Sequence, residues 1–139
     1  MLEQVIEFSI NNPMLVSAFI LLLALIVFNE SRTAGNGVSV PEAVRLMNRD
    51  EAVALDIRDR KNFTQGHIAG SVNIPMANLD ARIQELDKHK EKTILVVCNT
   101  GASAGVAIAK LQKAGFEQVL RLKGGVMQWQ SDSMPMVKK

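Results

Sequence analysis

The chain has 139 residues, a formal net charge of +2 and a single cysteine. This length suits one domain with a short extension. The small charge excess, with no basic run and no interleaved aromatic side chains, excludes nucleic-acid binding. One cysteine with two distant histidines, His67 and His89, gives little support to a metal site. We predict neither a metal nor a cofactor.

The first predicted element is an apolar helix. Residues 14–28 carry no charge, and eleven of these fifteen residues are Leu, Ile, Val or Phe. Counted from Ile10 the stretch has nineteen residues, about 28 Å as a helix, against a bilayer core of about 30 Å. Apolar residues surround the helix, so we predict one transmembrane helix over residues 10–28 and not a surface helix. A cleaved signal peptide would carry basic residues before the apolar stretch, but Glu3 and Glu7 stand there, which argues against one. Leu2 to Ile10 also fits an interfacial helix.

Basic residues predict the orientation of this segment. No Lys or Arg precedes it, whereas Arg32, Arg45 and Arg49 follow it. The positive-inside rule therefore predicts a single-pass protein of the inner (plasma) membrane, with its amino terminus outside and its domain in the cytoplasm. An unpaired cysteine agrees with that reducing compartment. We also predict a short segment over residues 1–9 and a polar, glycine-containing flexible linker over residues 29–37.

Strand and helix patterns alternate over residues 38–135, which we assign to one domain, followed by a tail at 136–139. Strands are predicted at 38–40, 53–57, 71–74, 93–98 and 118–122. Helices are predicted at 41–47, 78–89 and 104–114, with a short final helix around Trp129. This alternation predicts an α/β fold with a five-stranded, mainly parallel sheet flanked by helices.

Cys98 has the most informative position in the chain. It ends a predicted buried strand and precedes a loop of small residues that leads into a helix. Ligands of such sheets bind beyond the carboxyl ends of the strands, and free N–H groups at a helix start favour a thiolate, an anion or a persulfide. A lone cysteine at the end of a core strand is also an ordinary packing residue, so this position alone leaves both interpretations open.

Three motifs carry a resemblance to a known family. They are D-I-R at 56–58, F-T-Q-G-H-I-A-G-S-V-N-I-P at 63–75 and L-K-G-G-V-M-Q-W at 122–129. With Cys98 between them, the chain resembles the single-domain rhodanese family of sulfurtransferases, in a membrane-anchored bacterial form, over about residues 36–135. The resemblance implies two-step chemistry. Cys98 takes sulfur from a sulfane-sulfur donor as a persulfide, and a thiol or protein acceptor then removes it.

The resemblance also implies roles for particular residues. The main-chain N–H groups of one loop are expected to cradle the persulfide: Asn99, Thr100, Gly101, Ala102, Ser103 and Ala104. Arg58 is expected at the pocket rim. Structural roles are expected for Asp56, His67, Gly70, Gly124, Gly125 and Trp129.

The loop departs from the family pattern C-x-x-G-x-R, because Ser103 stands in place of the arginine. A charge-assisted hydrogen bond contributes about 1.5–3 kcal/mol, so thiosulfate should bind roughly tenfold to over a hundredfold more weakly. A neutral or protein-borne persulfide is then the better donor. Ala104 stands where a C-x5-R phosphatase carries arginine, which excludes a phosphatase.

Two functions remain after these exclusions. One is a membrane-tethered sulfurtransferase or persulfide carrier that uses Cys98. The other is a non-catalytic or weakly catalytic adaptor that contacts other inner-membrane proteins, such as insertion or export machinery, through its helix. The sequence leaves the donor, the acceptor, the membrane partner and the oligomeric state open.

Overall fold

The computed structural model describes residues 1–34 and 37–138, without the side chains of residues 30–34. The chain divides into two compact units, residues 1–35 and 36–139. The first unit contains helix α1, Leu2–Asn11, and helix α2, Pro13–Ala34.

A bend of 102° separates α1 from α2 and falls within the segment predicted as one transmembrane helix over residues 10–28. Asn12 lies outside the helical region, at φ −132° and ψ 58°. The cause is Pro13, whose ring disfavours helical backbone at the preceding residue while it suits the first turn of a new helix. The helix then continues to Ala34, where a linker was expected from residue 29. Residues 35 and 36 of that expected linker lie outside the described residues.

The two helices have the length and apolar composition of a membrane span only when they are taken together. Within the described residues, no helix taken alone is both long enough and apolar enough to cross a bilayer. Leu2–Asn11 together with Pro13–Asn29 reaches that length and composition, across the 102° bend.

The second unit is an α/β domain. Its strands are β1, Gly37–Val38; β2, Ala52–Asp56; β3, Val72–Asn73; β4, Thr93–Val97; and β5, Val119–Leu122. Its α-helices are α3, Val40–Asn48; α4, Arg60–Gln65; α5, Leu79–Arg82; α6, Ala104–Lys113; and α7, Gly125–Ser131. The helix predicted at 78–89 is instead α5 between two 3-10 segments, Met76–Asn78 and Ile83–His89.

The sheet has five strands in the order β1-β5-β4-β2-β3, and every pairing is parallel. This confirms the predicted sheet. Both faces are covered, as a parallel sheet requires. Alternate residues of β4 point into separate cores: Ile94 and Val96 pack with α6, and Leu95 and Val97 pack with α3 and α7. The central strands β4 and β2 therefore present their carboxyl ends together at one edge.

The carboxyl-terminal residues are also part of this domain. Val137 forms an antiparallel bridge with His67, and Trp129 Nε1 donates to Pro135 O at 3.0 Å. Val137, within the predicted tail at residues 136–139, is therefore paired with the domain through His67.

Candidate active site at the carboxyl edge of the sheet

Cys98 lies directly after β4, and its side chain is buried at 5% exposure. The main-chain N–H of Gly101 donates to Cys98 Sγ at 2.8 Å. Gly101 has a φ of +91°, in the region that favours glycine, which lets the loop turn back over the sulfur. Ala104 N instead donates to Gly101 O at 3.4 Å. Of the six predicted cradle residues, Gly101 is therefore the one whose N–H is described on the sulfur.

The Gly124-Gly125 turn supports this loop from the other side. Val126 N donates to Cys98 O at 2.9 Å, and Met127 N donates to Asn99 O at 3.1 Å. Because the C=O and N–H of a trans peptide point in opposite directions, the N–H groups of Asn99 and Thr100 are turned away from α7. The first residues of α7 thus orient two of the peptide groups around the cysteine.

Gly125 has no room for a side chain at this contact. A Cβ on Gly125 would lie 2.7 Å from Asn99 O and 2.8 Å from Asn99 C, with the carbonyl oxygen of Cys98 closer still. Its φ of +59° and the +74° of Gly124 are also left-handed. The double glycine therefore permits the close approach of α7 to the cysteine loop.

Arg58 is held by Asp56 at the end of β2. Its Nε and Nη2 donate to the two carboxylate oxygens at 2.7–3.1 Å, and Nη2 also donates to Gly66 O at 2.8 Å. The side chains are 9% and 1% exposed respectively. Asp56 also accepts from the Arg58 N–H at 3.0 Å. The pair is close to neutral as a unit, so Arg58 reaches this edge with its charge compensated.

Arg58 and Asn99 line one open pocket of about 380 Å³ beside the cysteine loop. The pocket's other lining residues include three primary amides, which come from α4 and α7: Asn62, Gln65 and Gln130. Sequence reasoning missed these three, since no motif marks them and only the fold brings the two helices together. The pocket is polar but carries no uncompensated charge among its lining side chains.

The outer surface of the cysteine loop is also neutral. Asn99, Thr100, Ala102 and Ser103 are exposed. Two exposed apolar side chains flank them, Val106 on α6 at 58% and Met127 on α7 at 56%. These two residues were also missed, because an exposed apolar residue inside an amphipathic pattern looks like part of the core.

Three of the residues with expected structural roles, His67, Gly70 and Trp129, have their described contacts elsewhere in the domain. His67 is buried, its Nδ1 lies 2.8 Å from Phe63 O, and its ring stacks on that of Phe63 at 3.8 Å between centroids. Gly70 forms a turn at φ +78°, and Trp129 is buried in the core at 4% exposure. None of their described contacts reaches Cys98. Over residues 1–34 and 37–138, no three His, Cys, Asp or Glu side chains are grouped as a metal site would need.

Comparison with known proteins identifies relatives of this chain. A family model described as "Rhodanese-like domain" matches residues 39–132. The chain is 36% identical over 141 residues to the "Uncharacterized protein YibN" of Escherichia coli (strain K12), with 99% of each chain covered. It is 32% identical over 94 residues to the "Thiosulfate sulfurtransferase GlpE" of Pseudoalteromonas translucida, with 68% of this chain and 88% of that protein covered.

A solved structure supports the same fold. The rhodanese-related protein of Thermoplasma volcanium superposes with a TM-score of 0.68 at 23% identity, over 75% of this chain and 99% of that one. At this identity the likeness shows the fold alone.

Proposed function

The chain belongs to the rhodanese-like domain family, and from this premise we propose that it is a membrane-tethered sulfurtransferase or persulfide carrier with Cys98 as its nucleophile. The observation that carries the proposal is the Gly101 N–H directed at Cys98 Sγ at 2.8 Å. A main-chain donor fixed on the sulfur stabilises a thiolate, and later a persulfide, more than a thiol.

The two-step sulfur transfer needs no outside oxidant or reductant. The Cys98 thiolate attacks the outer sulfur of a donor persulfide, the donor's S–S bond breaks, and the donor leaves as a thiolate. The outer sulfur stays on Cys98 with its proton. An acceptor thiolate then attacks that sulfur, the bond to Cys98 breaks, and the Cys98 thiolate is restored.

The neutral surroundings of Cys98 favour an uncharged or protein-borne persulfide over thiosulfate as the donor. The loop has no cation, and Arg58 is compensated by Asp56 at 2.7 Å. The adjoining pocket contributes amide groups, which hydrogen-bond to neutral polar chains such as a peptide. A dianion such as thiosulfate lacks the charge-assisted contact, worth about 1.5–3 kcal/mol, that a loop arginine would supply.

Attachment to the inner membrane is the second part of the proposal. Residues 19–23 of α2 are each 45–64% exposed, and five consecutive residues cover every side of a helix. Such a surface is stable in hydrocarbon and not in water. Arg32 follows the apolar stretch while no basic residue precedes it, which supports an outside amino terminus and a cytoplasmic domain. The lipid bilayer is then a partner of the chain.

An adaptor role is the second candidate function. It is favoured by the missing loop cation together with the exposed Val106 and Met127 beside a cysteine that is only 5% exposed. In this alternative the chain contacts an inner-membrane protein complex through its helix and uses little chemistry. Replacement of residues 14–28 by an unrelated apolar helix distinguishes the two functions: a tethered enzyme keeps its function in cells, and an adaptor loses it while staying in the membrane.

A transfer assay tests the proposed enzyme directly. Full-length protein in a neutral detergent is given either thiosulfate or glutathione persulfide as donor and a dithiol as acceptor, and sulfide release is followed. The proposal predicts turnover with the persulfide, at least tenfold less with thiosulfate, and none above background for Cys98→Ala. Equal rates for wild type and Cys98→Ala would refute it.

A further inference from the structure

A second pocket lies at the same edge of the sheet, beyond β2 and away from the cysteine loop. Its volume is about 630 Å³, and residues 98–104 do not line it. Its walls come from α4, from the end of β3 and from the 3-10 turn and helix that follow β3. A volume of this size lies within the roughly 300–1,000 Å³ of small-molecule sites and greatly exceeds the space of a single inorganic ion.

Two guanidinium groups line this pocket, and no carboxylate does. Arg82 is paired outside the pocket, since its Nε and Nη2 donate to Glu85 at 2.7 and 3.0 Å. This hydrogen bond to Glu85, followed by the charge attraction, raises the pKa of Arg82. Arg60 is exposed and has no carboxylate partner among the described ion pairs. The pocket therefore contains one uncompensated positive charge next to a second, paired one.

The remaining lining residues provide a flat apolar wall and neutral polar groups. The Phe63 ring borders the pocket. The His67 ring stacks on it, with 3.8 Å between ring centroids and 11° between ring planes, and holds it in place. The Asn73 side-chain Nδ2 donates to Asp56 O at 3.0 Å and to Arg58 O at 2.9 Å. Its Oδ1 therefore remains as an acceptor. No described hydrogen bond uses the Asn78 side chain, so its amide N–H groups remain as donors at the pocket.

We propose that this pocket binds a small organic anion, with its phosphate or carboxylate group on Arg60, beside the paired Arg82, and a flat apolar portion against Phe63. Arginine pairs with such groups through two parallel N–H donors, and an aromatic ring accepts a flat partner by offset stacking. The site is separate from the sulfur chemistry and does not depend on it.

The test uses full-length protein in a neutral detergent, labelled with ¹⁵N, and phenyl phosphate as the probe. The side-chain amide signals of Asn73 and Asn78 should shift and saturate as phenyl phosphate is added. Inorganic phosphate should bind more weakly, since it lacks the ring, and phenol should give no saturable shift, since it lacks the charge. No saturable shift with phenyl phosphate, or an equal shift with phenol, would overturn the proposal.

A charge-matched pair of variants separates this site from general attraction of anions. Arg60→Gln should weaken phenyl phosphate binding roughly tenfold or more. Lys61→Gln removes the same charge from the next residue, which is exposed and does not line the pocket, and should change binding by less than about twofold. Equal effects of Arg60→Gln and Lys61→Gln would contradict the proposal.

A final experiment distinguishes two sources of the anion, a lipid headgroup and a free metabolite. The protein is placed in nanodiscs of phosphatidylcholine alone or with phosphatidylglycerol, and spectra are recorded before and after phenyl phosphate is added. Shifts of Asn73 and Asn78 that appear only with phosphatidylglycerol would assign the site to a lipid headgroup. Shifts that require phenyl phosphate in both nanodiscs would assign it to a free metabolite. In either case Arg60→Gln should still load sulfur on Cys98, so a failed anion site and a failed sulfur site give different results.

Discussion

Gly125→Ala should damage the cysteine loop far more than its conformational cost alone predicts. The left-handed φ of +59° at Gly125 costs an alanine about 1–2 kcal/mol. The new Cβ would also lie 2.7 Å from Asn99 O and 2.8 Å from Asn99 C, against the backbone of that loop. Overpacking adds about 1–3 kcal/mol, so we expect a total loss of about 2–5 kcal/mol of unfolding free energy. The loop can escape the clash only by moving away from α7.

Gly70→Ala is the matched control for this variant. Gly70 has a similar φ of +78°, but a Cβ there would meet no atom within 4 Å. Its expected loss is therefore the conformational part alone, about 1–2 kcal/mol. Trp129 is the one tryptophan of the chain and is buried in the domain core, so its fluorescence in a urea titration of the full-length protein reports the unfolding of this domain.

The two variants should also differ in chemistry. Gly125→Ala displaces the loop that places the Gly101 N–H on Cys98, so it should lose most persulfide formation, whereas Gly70→Ala should keep it. Equal destabilisation by the two variants, or normal persulfide formation in folded Gly125→Ala, would refute the role assigned to the close contact between α7 and the cysteine loop.

Three further predictions follow from the charged groups. Ser103→Arg restores the cation missing from the loop and should improve kcat/KM for thiosulfate roughly tenfold or more, whereas Gln112→Arg near the far end of α6 should not. Asp56→Asn leaves the buried Arg58 unpaired and should cost about 3–5 kcal/mol of unfolding free energy in the same urea titration; a loss below about 1 kcal/mol would contradict the buried pairing. Burial, followed by the charges of Lys88 and Lys92, lowers the pKa of His89 from its usual 6.5. The unfolded chain therefore binds more protons at His89, stability should fall as the pH drops below about 6.5, and His89→Gln should reduce that slope; an unchanged slope would count against the pKa shift.

Much of the domain was predictable because its signals are local. The run of β-branched and apolar residues at 93–97 becomes β4. Gly101, Gly124 and Gly125 occur at the turns that need positive φ values. These features depend on a few neighbouring residues, so periodicity and glycine placement were sufficient to predict the sheet and the position of Cys98 at its edge.

The structure differs from the predictions where one residue interrupts a local pattern or where a distant contact decides the backbone. Pro13 divides an apolar stretch that hydropathy treats as continuous. The polar residues after Phe28 looked like a linker, yet the backbone hydrogen bonds of α2 extend through them. The pairing of Val137 with His67 joins residues seventy positions apart, for which a single sequence gives no signal.

The candidate site also has a part that the sequence predicts and a part that only the fold creates. Cys98 and the small residues of its loop can be recognised from their order along the chain. The pocket beside the cysteine loop comes instead from separate elements, through the pairing of Arg58 with Asp56 and the amides of Asn62 and Gln130. The preference for a neutral donor rests on these contacts as well as on the missing arginine.

The central claim is that Cys98 accepts a sulfur atom, and intact mass spectrometry tests it most directly. Full-length wild type and Cys98→Ala are incubated with glutathione persulfide, and their masses are measured before and after addition of a dithiol. Since Cys98 is the only cysteine in the chain, it is the one thiol that can be loaded. We predict that the wild type gains the mass of one sulfur atom and loses it to the dithiol, while Cys98→Ala gains none. No gain in the wild type, or the same gain in both proteins, would contradict the account.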